Sequence, residues 1–263
     1  MGILNVTPDS FADGGQFLDP GAAEAAAVDM QAGGADIIDV GGESTRPGAE
    51  TVSETEEIGR VQPVLRRLSR SVSIPISIDT SKAAVAEVAL AEGASIINDV
   101  TGLRYYASLA SAAARAGAGL ILMHARGRSR DMYKEARYAS VPLEVASELR
   151  TSLERAVEAG VPREAIVLDP GLGFAKKAEH SYAALAALPQ IAALGRPLLV
   201  GPSRKSFLTA ATGERPPAER DMATAAAVTA AVLFGAHIVR VHNVAAMVDV
   251  VRVADAIRHG HTC

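Results

Sequence analysis

Short apolar runs that end on a polar residue, each followed by a helix-forming segment, recur along the whole chain. The clearest example lies between Pro75 and Asp99. Its first run is rich in isoleucine, which predicts a strand that is buried on both faces and that ends on Asp79. Residues 82–92 then carry alanine and valine at helical spacing, and Gly93 predicts the end of that helix. A second buried strand follows and ends on polar residues.

The same pattern predicts eight strands, each followed by a helix. The predicted strands are residues 2–6, 37–40, 75–79, 96–99, 119–123, 166–168, 198–200 and 237–241. Eight such units in 263 residues are typical of an α/β protein with a single (β/α)8 TIM barrel, here with long loops after strands 1 and 2. No linker divides residues 1–263, so we expect one domain. A doubly wound open sheet has the same local pattern. The barrel is favoured because polar residues follow all eight strands, which suits a closed ring.

Composition excludes several classes of function. The net charge of −4, the absence of Trp and the low aromatic content of 4% argue against a nucleic-acid-binding surface. No apolar run reaches the length of a membrane span, and no signal peptide opens the chain. The single cysteine, Cys263, cannot form an internal disulfide, which is typical of a reducing compartment. We therefore expect a soluble cytoplasmic protein that binds neither nucleic acid nor membranes.

Carboxylates and an amide at the strand ends predict a binding pocket, because TIM-barrel active sites form at the carboxyl ends of the strands. Asp79 and Asp169 end buried strands, where an unpaired carboxylate is costly, so each needs a cation or a ligand with N–H groups. Together with Asn98 they suit the donor-and-acceptor edge of a flat heterocycle. For Asp39 and Asp99, a helix-capping or turn-forming role has about the same weight as a role in the site.

A second group of strand-end and loop residues is cationic. It comprises Arg46, Lys205, Arg240 and His242, with the hydroxyl-bearing Ser44, Thr45 and Ser206 beside them. Guanidinium groups match phosphate oxygens bidentately, and hydroxyl and backbone N–H groups near a helix start can join them. These residues predict an anion pocket beside the heterocycle pocket. Solvated surface charges are the alternative for Lys205.

The remaining candidates concern metal and acid–base chemistry. Asn5 and Asp13 offer oxygen ligands that would hold Mg²⁺ against a phosphate. No His or Cys pattern suits zinc. His124 is a lone histidine at a strand end, and a hydrogen-bonded wall position outweighs a catalytic role for it. Because no nucleophile lies beside a base, the site suits displacement of a phosphate leaving group through positioning and charge stabilisation.

Seven motifs, in the same order along the chain, resemble those of the dihydropteroate synthase family of the folate pathway. They are residues 2–11, 41–48, 79–82, 97–99, 169–174, 203–207 and 240–242. The resemblance implies a TIM barrel, usually a homodimer, whose small-molecule substrates are 6-hydroxymethyl-7,8-dihydropterin diphosphate and p-aminobenzoate. Such an enzyme joins the two with Mg²⁺ as cofactor and releases pyrophosphate.

The resemblance also implies a role for each matching residue. The implied pterin-binding residues are Asp79, Asn98, Asp169 and Lys205. The implied diphosphate-binding residues are Asn5, Arg46, Arg240 and His242, with Asn5 and Asp13 near Mg²⁺. The implied p-aminobenzoate-binding residues are Thr45, Phe174, Lys205 and Ser206, with Phe11 and Pro47 from the loops. The implied route is SN1-like, with catalytic roles for Asp79, Lys205, Asn5 and Arg46: diphosphate leaves first, Asp79 stabilises the pterin cation, and the amine traps it.

Two alternatives stay open at this point. One is a related pterin-binding barrel that transfers a methyl group from methyltetrahydrofolate to a corrinoid protein, which has no use for a diphosphate clamp. The other is a catalytically silent paralogue, which would be expected to lose Asn5, Arg46 or Lys205.

The chain departs from the family pattern at Asn243, where Asp is common. It has no insertion after Phe174, so we expect sensitivity to sulfonamides.

Overall fold

The computed structural model describes residues 1–7, 19–44, 49, 51–127 and 132–260. These residues contain eight short parallel strands, each built from an apolar, mostly β-branched or leucine-containing run. The strands are β1 (Gly2–Asn5), β2 (Ile38–Gly41), β3 (Ile76–Asp79), β4 (Ile96–Asp99), β5 (Gly119–Met123), β6 (Ile166–Asp169), β7 (Leu199–Val200) and β8 (Ile238–Val239). Their bounds differ from the sequence prediction by at most two residues at either end.

Helices follow the strands and cover the outside of the sheet. They are α1 (Pro20–Ala32), α2 (Glu54–Ser71), α3 (Ala83–Ala91), α4 (Ser108–Ala116), α5 (Val141–Glu158), α6 (Ala178–Ala186), α7 (Leu188–Ala192), α8 (Thr209–Thr212), α9 (Asp221–Leu233) and α10 (Val244–His259). Within the part of the chain that the structure describes, no helix is both long and apolar enough to cross a membrane.

The sheet closes on itself, which distinguishes the barrel from an open doubly wound sheet. Strands β1 to β6 pair in sequence order, and β7 pairs with β8. A parallel bridge between Leu168 and Leu198 joins β6 to β7. At the other seam Gly2 bridges Val241, and the Val241 N–H donates to the Met1 carbonyl at 3.0 Å. The predicted TIM barrel is therefore confirmed.

Strand alternation divides the core into two parts. Outward-facing side chains such as Ile38, Ile78 and Leu122 pack against the helices in one large cluster. Inward-facing Met1, Ile121 and Leu199 form a separate apolar plug at the lower end of the barrel. Successive side chains point to opposite faces of a strand, so side chains two residues apart share a face. The inward positions nearer the carboxyl ends therefore lie directly above the plug. Many of those upper positions are polar, including Asp39, Asp79 and Asn98.

A buried ion cluster fixes the start of the loop after β2. Lys82, at the N-terminus of α3, contacts Glu57 Oε2 of α2 at 2.5 Å and also contacts Glu43. The Glu57 side chain is 1% exposed, and its Oε1 has no hydrogen-bond partner among the described residues. The cluster thus joins the loop base, α2 and α3 through one ammonium group.

Replacing Lys82 with Met is expected to lower the free energy of unfolding by about 3 kcal/mol near neutral pH, because it leaves Glu57 buried without a compensating charge. Urea denaturation would measure the loss. The double variant Lys82→Met/Glu57→Gln removes the stranded charge as well and is expected to regain part of it. A double variant no more stable than Lys82→Met would contradict this explanation.

Candidate functional site

A charged cluster occupies the upper interior of the barrel. Arg240, which follows β8, donates from Nε to Asp39 Oδ2 at 2.6 Å and from Nη2 to Asp79 Oδ2 at 2.8 Å. Asn98 Nδ2 donates to the same Asp39 oxygen at 3.1 Å. Four strands therefore meet through one guanidinium and one amide. Burial lowers the pKa of Arg240, but the charges of Asp39 and Asp79 raise it by more. The net pKa is raised, so the guanidinium stays cationic.

Two carboxylate oxygens in this cluster remain available to a ligand. Asp39 Oδ1 and Asp79 Oδ1 are buried and have no hydrogen-bond partner within the described ranges. A buried acceptor without a donor costs on the order of 1–3 kcal/mol, so these oxygens indicate a site that a ligand's N–H groups complete. Burial raises the pKa of Asp79 to about 7, against the opposing charge of Arg240.

A second wall is formed by the turn after β6 and the loop after β7. Asp169 Oδ1 accepts from the Gly171 N–H at 2.7 Å. Lys205 Nζ donates to the Leu172 carbonyl at 2.5 Å and lies 4.6 Å from the centre of the Phe174 ring. Burial lowers the pKa of Lys205 to about 8, and the Asp169 carboxylate opposes that shift. Burial also raises the pKa of Asp169 above its ordinary value.

His242 is oriented by a serine of the neighbouring strand end. Ser203 Oγ lies 2.9 Å from His242 Nδ1, and the His242 backbone N–H donates to Ser203 Oγ at 3.1 Å. The half-buried ring therefore has one nitrogen fixed by Ser203. This arrangement places a potential donor at the rim, as the predicted anion pocket requires.

The loop carrying Lys205 is anchored to α9 by polar contacts. Arg204 has a positive φ of 59° and pairs with both oxygens of Asp221, at 2.7 and 3.0 Å. Asn243 donates from Nδ2 to Asp221 Oδ2 at 2.9 Å, and its Oδ1 accepts from the Ala246 N–H of α10. An Asp at position 243 would lack this donor to Asp221, so the contact gives the departure from the family pattern a local physical reason.

The structure brings together many of the residues that the sequence predicted for the site. Asp79, Asn98, Asp169, Lys205 and Arg240 surround one space inside the barrel mouth. The predicted site residues at the rim are the partly buried Asn5, Phe174 and His242 and the exposed Ser206. Five predicted site residues lie outside the described residues, namely Phe11, Asp13, Thr45, Arg46 and Pro47. The diphosphate-binding role of Arg240 stays a prediction, because its Nε and Nη2 donate to the carboxylates of Asp39 and Asp79 in this structure.

Asn5 lies at the rim, close to Asp79. A Cβ added at Gly41 would lie 3.5 Å from Asn5 Oδ1 and 3.6 Å from Asp79 Cβ, so Gly41 separates the two side chains. Over the described ranges, no group of three or more His, Cys, Asp or Glu side chains could hold a metal ion. The amide oxygen of Asn5 is a hard donor of the kind that Mg²⁺ prefers. It fits as one ligand of a Mg²⁺ ion that shares its coordination with phosphate oxygens and water.

Two strand-end residues belong to the scaffold. Asp99 faces out of the barrel and accepts from the Thr101 N–H at 2.8 Å and the Leu103 N–H at 2.6 Å, so it is a turn former. His124 is 3% exposed and hydrogen-bonds to Lys176, which agrees with the predicted wall position. Burial lowers the pKa of His124 to about 4, so its ring is neutral at physiological pH.

Sequence reasoning undervalued Asp39 and did not single out Ser203 or Lys176. On sequence grounds a capping role for Asp39 has the same weight as a site role, yet Asp39 accepts from both Arg240 and Asn98. The signal was available in the alternation, since Ile37 and Asp39 share one face of β2 and Ile37 is packed against the inner plug. Adjacent Asn98 and Asp99 must likewise point to opposite faces, so only one could enter the site.

The sequence matches known proteins along nearly its whole length. Residues 1–242 match a family model described as pterin binding enzyme. The chain is 47% identical over 257 residues to a protein from Synechocystis sp. (strain ATCC 27184 / PCC 6803 / Kazusa) named dihydropteroate synthase, covering 98% of this chain and 89% of that protein.

Solved structures match in fold as well as in sequence. A Yersinia pestis dihydropteroate synthase in a complex with a sulfonamide drug superposes with a TM-score of 0.93, at 40% identity, over 98% of this chain and 94% of that one. A Xanthomonas albilineans dihydropteroate synthase with 4-aminobenzoic acid superposes with a TM-score of 0.92, at 41% identity, over 98% and 92%. The agreement extends over the whole barrel.

Proposed function

The chain belongs to the pterin-binding enzyme family, among the dihydropteroate synthases, and from this premise we propose how it acts. It condenses 6-hydroxymethyl-7,8-dihydropterin diphosphate with p-aminobenzoate and forms 7,8-dihydropteroate and pyrophosphate. The observation that carries the proposal is the unpartnered Asp79 Oδ1 inside the barrel mouth, between a cationic and an amide side chain. A pterin has N–H groups that suit such an acceptor.

The pterin would lie between the two polar walls of the barrel mouth. Asp79 and Asp169 would accept from ring N–H groups, while Asn98 and Lys205 would contact ring acceptors. Arg240 keeps Asp79 Oδ2 engaged at 2.8 Å, which fixes the carboxylate so that Oδ1 faces the ligand. Preorganised polar groups of this kind lower the cost of forming charge during the reaction.

The reaction would proceed through a pterin cation. The bond between the pterin methylene carbon and the diphosphate oxygen breaks, and its electron pair leaves with diphosphate. The Asp79 carboxylate stabilises the positive charge that spreads over the pterin. The p-aminobenzoate nitrogen then forms a bond to the methylene carbon with its lone pair and loses one proton to solvent.

Binding of the diphosphate would use the rim. We assign Asn5, Arg46, Arg240 and His242 to it, with support from the position of Asn5 across Gly41 from Asp79 and of His242 at the mouth. Mg²⁺, the proposed cofactor, would be held by Asn5 and by Asp13, and when bound it supplies charge that stabilises the leaving diphosphate. Arg46 and Asp13 lie outside the described residues.

The p-aminobenzoate site would lie against the Phe174 ring and the Lys205 stem. Thr45, Pro47, Phe11 and Ser206 would complete it. The Xanthomonas relative was solved with 4-aminobenzoic acid and the Yersinia relative with a sulfonamide. We infer that sulfonamides, as analogues of the arylamine, inhibit this enzyme; turnover that persists at saturating sulfonamide would contradict this.

Pyrophosphate release tests the function. The purified protein would receive pterin diphosphate and Mg²⁺, with and without p-aminobenzoate, and pyrophosphate and dihydropteroate would be quantified. We expect stoichiometric formation of both only when the arylamine is present. Tight pterin binding without turnover would instead favour a silent paralogue or the corrinoid-linked methyltransferase, and a corrinoid-protein assay would separate those two.

The pH profile of kcat/KM follows from the two shifted groups. Asp79 must be ionised, so activity rises as the pH passes its pKa of about 7. Lys205 must be protonated, so activity falls as the pH passes its pKa of about 8. We expect a narrow bell-shaped profile with its maximum between these values. The guanidinium in Lys205→Arg does not titrate in this range, so the alkaline limb of the profile should shift to higher pH. An unshifted limb would contradict the assignment of that limb to Lys205.

We also propose that the chain forms a homodimer. Apolar side chains on α9 and α10 are exposed, with Met222 at 82%, Val253 at 61% and Ile257 at 62%, and such groups suit a subunit interface. Sedimentation of the wild type and of Met222→Asp would test this. The single domain over residues 1–263 and the cytoplasmic location remain predictions. The one-domain prediction is supported by α10, which lies beyond the residues matched by the family model and packs on α9.

A further inference from the structure

Lys176 is the largest fully buried side chain in the described chain that the proposed mechanism leaves unused. It follows the turn after β6, and its side chain is 1% exposed. Its Nζ lies 2.7 Å from His124 Nδ1, 3.2 Å from the Phe174 carbonyl and 3.4 Å from the His124 carbonyl. These three acceptors match the three donors of an ammonium group.

The contacts of His124 indicate which ring nitrogen carries the proton. Nδ1 faces Lys176 Nζ, so when Lys176 is protonated Nδ1 accepts and the hydrogen of the neutral ring is on Nε2. That nitrogen lies 3.3 Å from Glu148 Oε2 of α5. Glu148 is in turn bound by Arg126 Nε at 2.9 Å. The chain of contacts connects the interior turn to α5.

The segment that Lys176 binds is strained and needs outside support. Ala175 has a positive φ of 48°, a conformation that costs an L-residue roughly 1–2 kcal/mol. Its carbonyl accepts from the Tyr138 hydroxyl at 3.1 Å. Lys176 then binds the Phe174 carbonyl on the preceding residue. The side chains of Lys176 and Tyr138 thus bind the consecutive carbonyls of Phe174 and Ala175.

This turn forms one wall of the site. It presents the Phe174 ring to Lys205, and the Leu172 carbonyl to the Lys205 ammonium. A buried charge is expensive, and a methionine of similar length would fill the space without that cost. What methionine cannot do is bind the His124 ring and two carbonyls at once. The lysine therefore suits a role in fixing the position of the turn.

We propose that Lys176, with His124 as its partner, is a positioning residue that sets the Phe174 wall for the arylamine substrate. This inference rests on the proposed function. Because the turn contacts the arylamine side of the pocket, loss of Lys176 should weaken arylamine binding more than pterin binding. Lys176 acts through the turn that carries Phe174 and touches no substrate itself.

The main test compares Lys176→Met with Lys177→Met, a matched control at the adjacent exposed lysine. For Lys176→Met we expect the KM for p-aminobenzoate to rise about tenfold, the size of one lost positioning contact, with the KM for pterin diphosphate changed less than about threefold. Lys177→Met should match the wild type. Equal changes in both KM values, or none, would overturn the proposal.

A second measurement is made on the wild type and does not require Lys176→Met to fold. Nitrogen-15 NMR of histidine-labelled wild-type protein should show the Nε2–H tautomer for His124, assigned by loss of the signal in His124→Asn. The Nδ1–H tautomer would overturn the proposal, since Lys176 could not then donate to Nδ1. If the wild type showed no turnover, the proposed function would fail, and the tautomer would still report on the Lys176 contact.

Discussion

Replacing Asp79 with Asn is expected to lower kcat/KM for pterin diphosphate by about a thousandfold while the protein remains folded. The change removes the charge that stabilises the pterin cation and replaces an acceptor with an amide. Its Nδ2 would face either Arg240 or the N–H groups of the pterin, so one donor meets another. Losing a buried charged partner of this kind costs on the order of 2–5 kcal/mol. Steady-state kinetics at saturating p-aminobenzoate would measure the effect.

Asp99→Asn is the matched control for that experiment. Asp99 is buried like Asp79, at 0% exposure against 8%, and belongs to the adjacent strand, but it faces the opposite side and holds a turn. We expect it to lower the free energy of unfolding by about 2 kcal/mol, with kcat/KM of the folded enzyme within about fivefold of the wild type. If Asp79→Asn retained more than a tenth of the wild-type kcat/KM, the central role of Asp79 would be wrong.

Replacing Gly171 with Ala is expected to lower the free energy of unfolding by more than about 5 kcal/mol, enough to abolish folding in a marginally stable protein. Gly171 has a positive φ of 67°, and a Cβ there would lie 2.0 Å from the His124 carbonyl oxygen. That atom belongs to the backbone of a neighbouring strand end and cannot move aside. Soluble yield and urea denaturation would measure the loss.

Gly117→Ala separates the contact from the backbone conformation. Gly117 has a similar φ of 63°, and a Cβ there would have nothing within 4 Å among the described residues. It should therefore show only the conformational penalty of about 1–2 kcal/mol. The difference between the two variants gives the cost of the collision. Equal losses would mean that the close approach at Gly171 is unimportant.

The local features of the site were accessible from the sequence, while their partners were not. The strand that ends on Asp79 and the pocket role of Asn98 followed from apolar runs closed by polar residues. Asp39 was ambiguous because a carboxylate after a strand serves equally well as a cap. What resolves it is Arg240, which lies 201 positions away in the chain and reaches Asp39 only because β8 closes onto β1.

The number and order of the strands, and the family to which the motifs point, can be predicted from local sequence, because side-chain burial and helix ends are encoded by nearby residues. Which strand-end groups share a space depends on how the barrel closes. Ring closure brings residues 39, 79 and 240 within hydrogen-bonding distance, and burial in that ring raises the pKa of Asp79. The Lys176–His124 contact belongs to the same class, since its two members come from different strand ends and neither carries a local signal of the other.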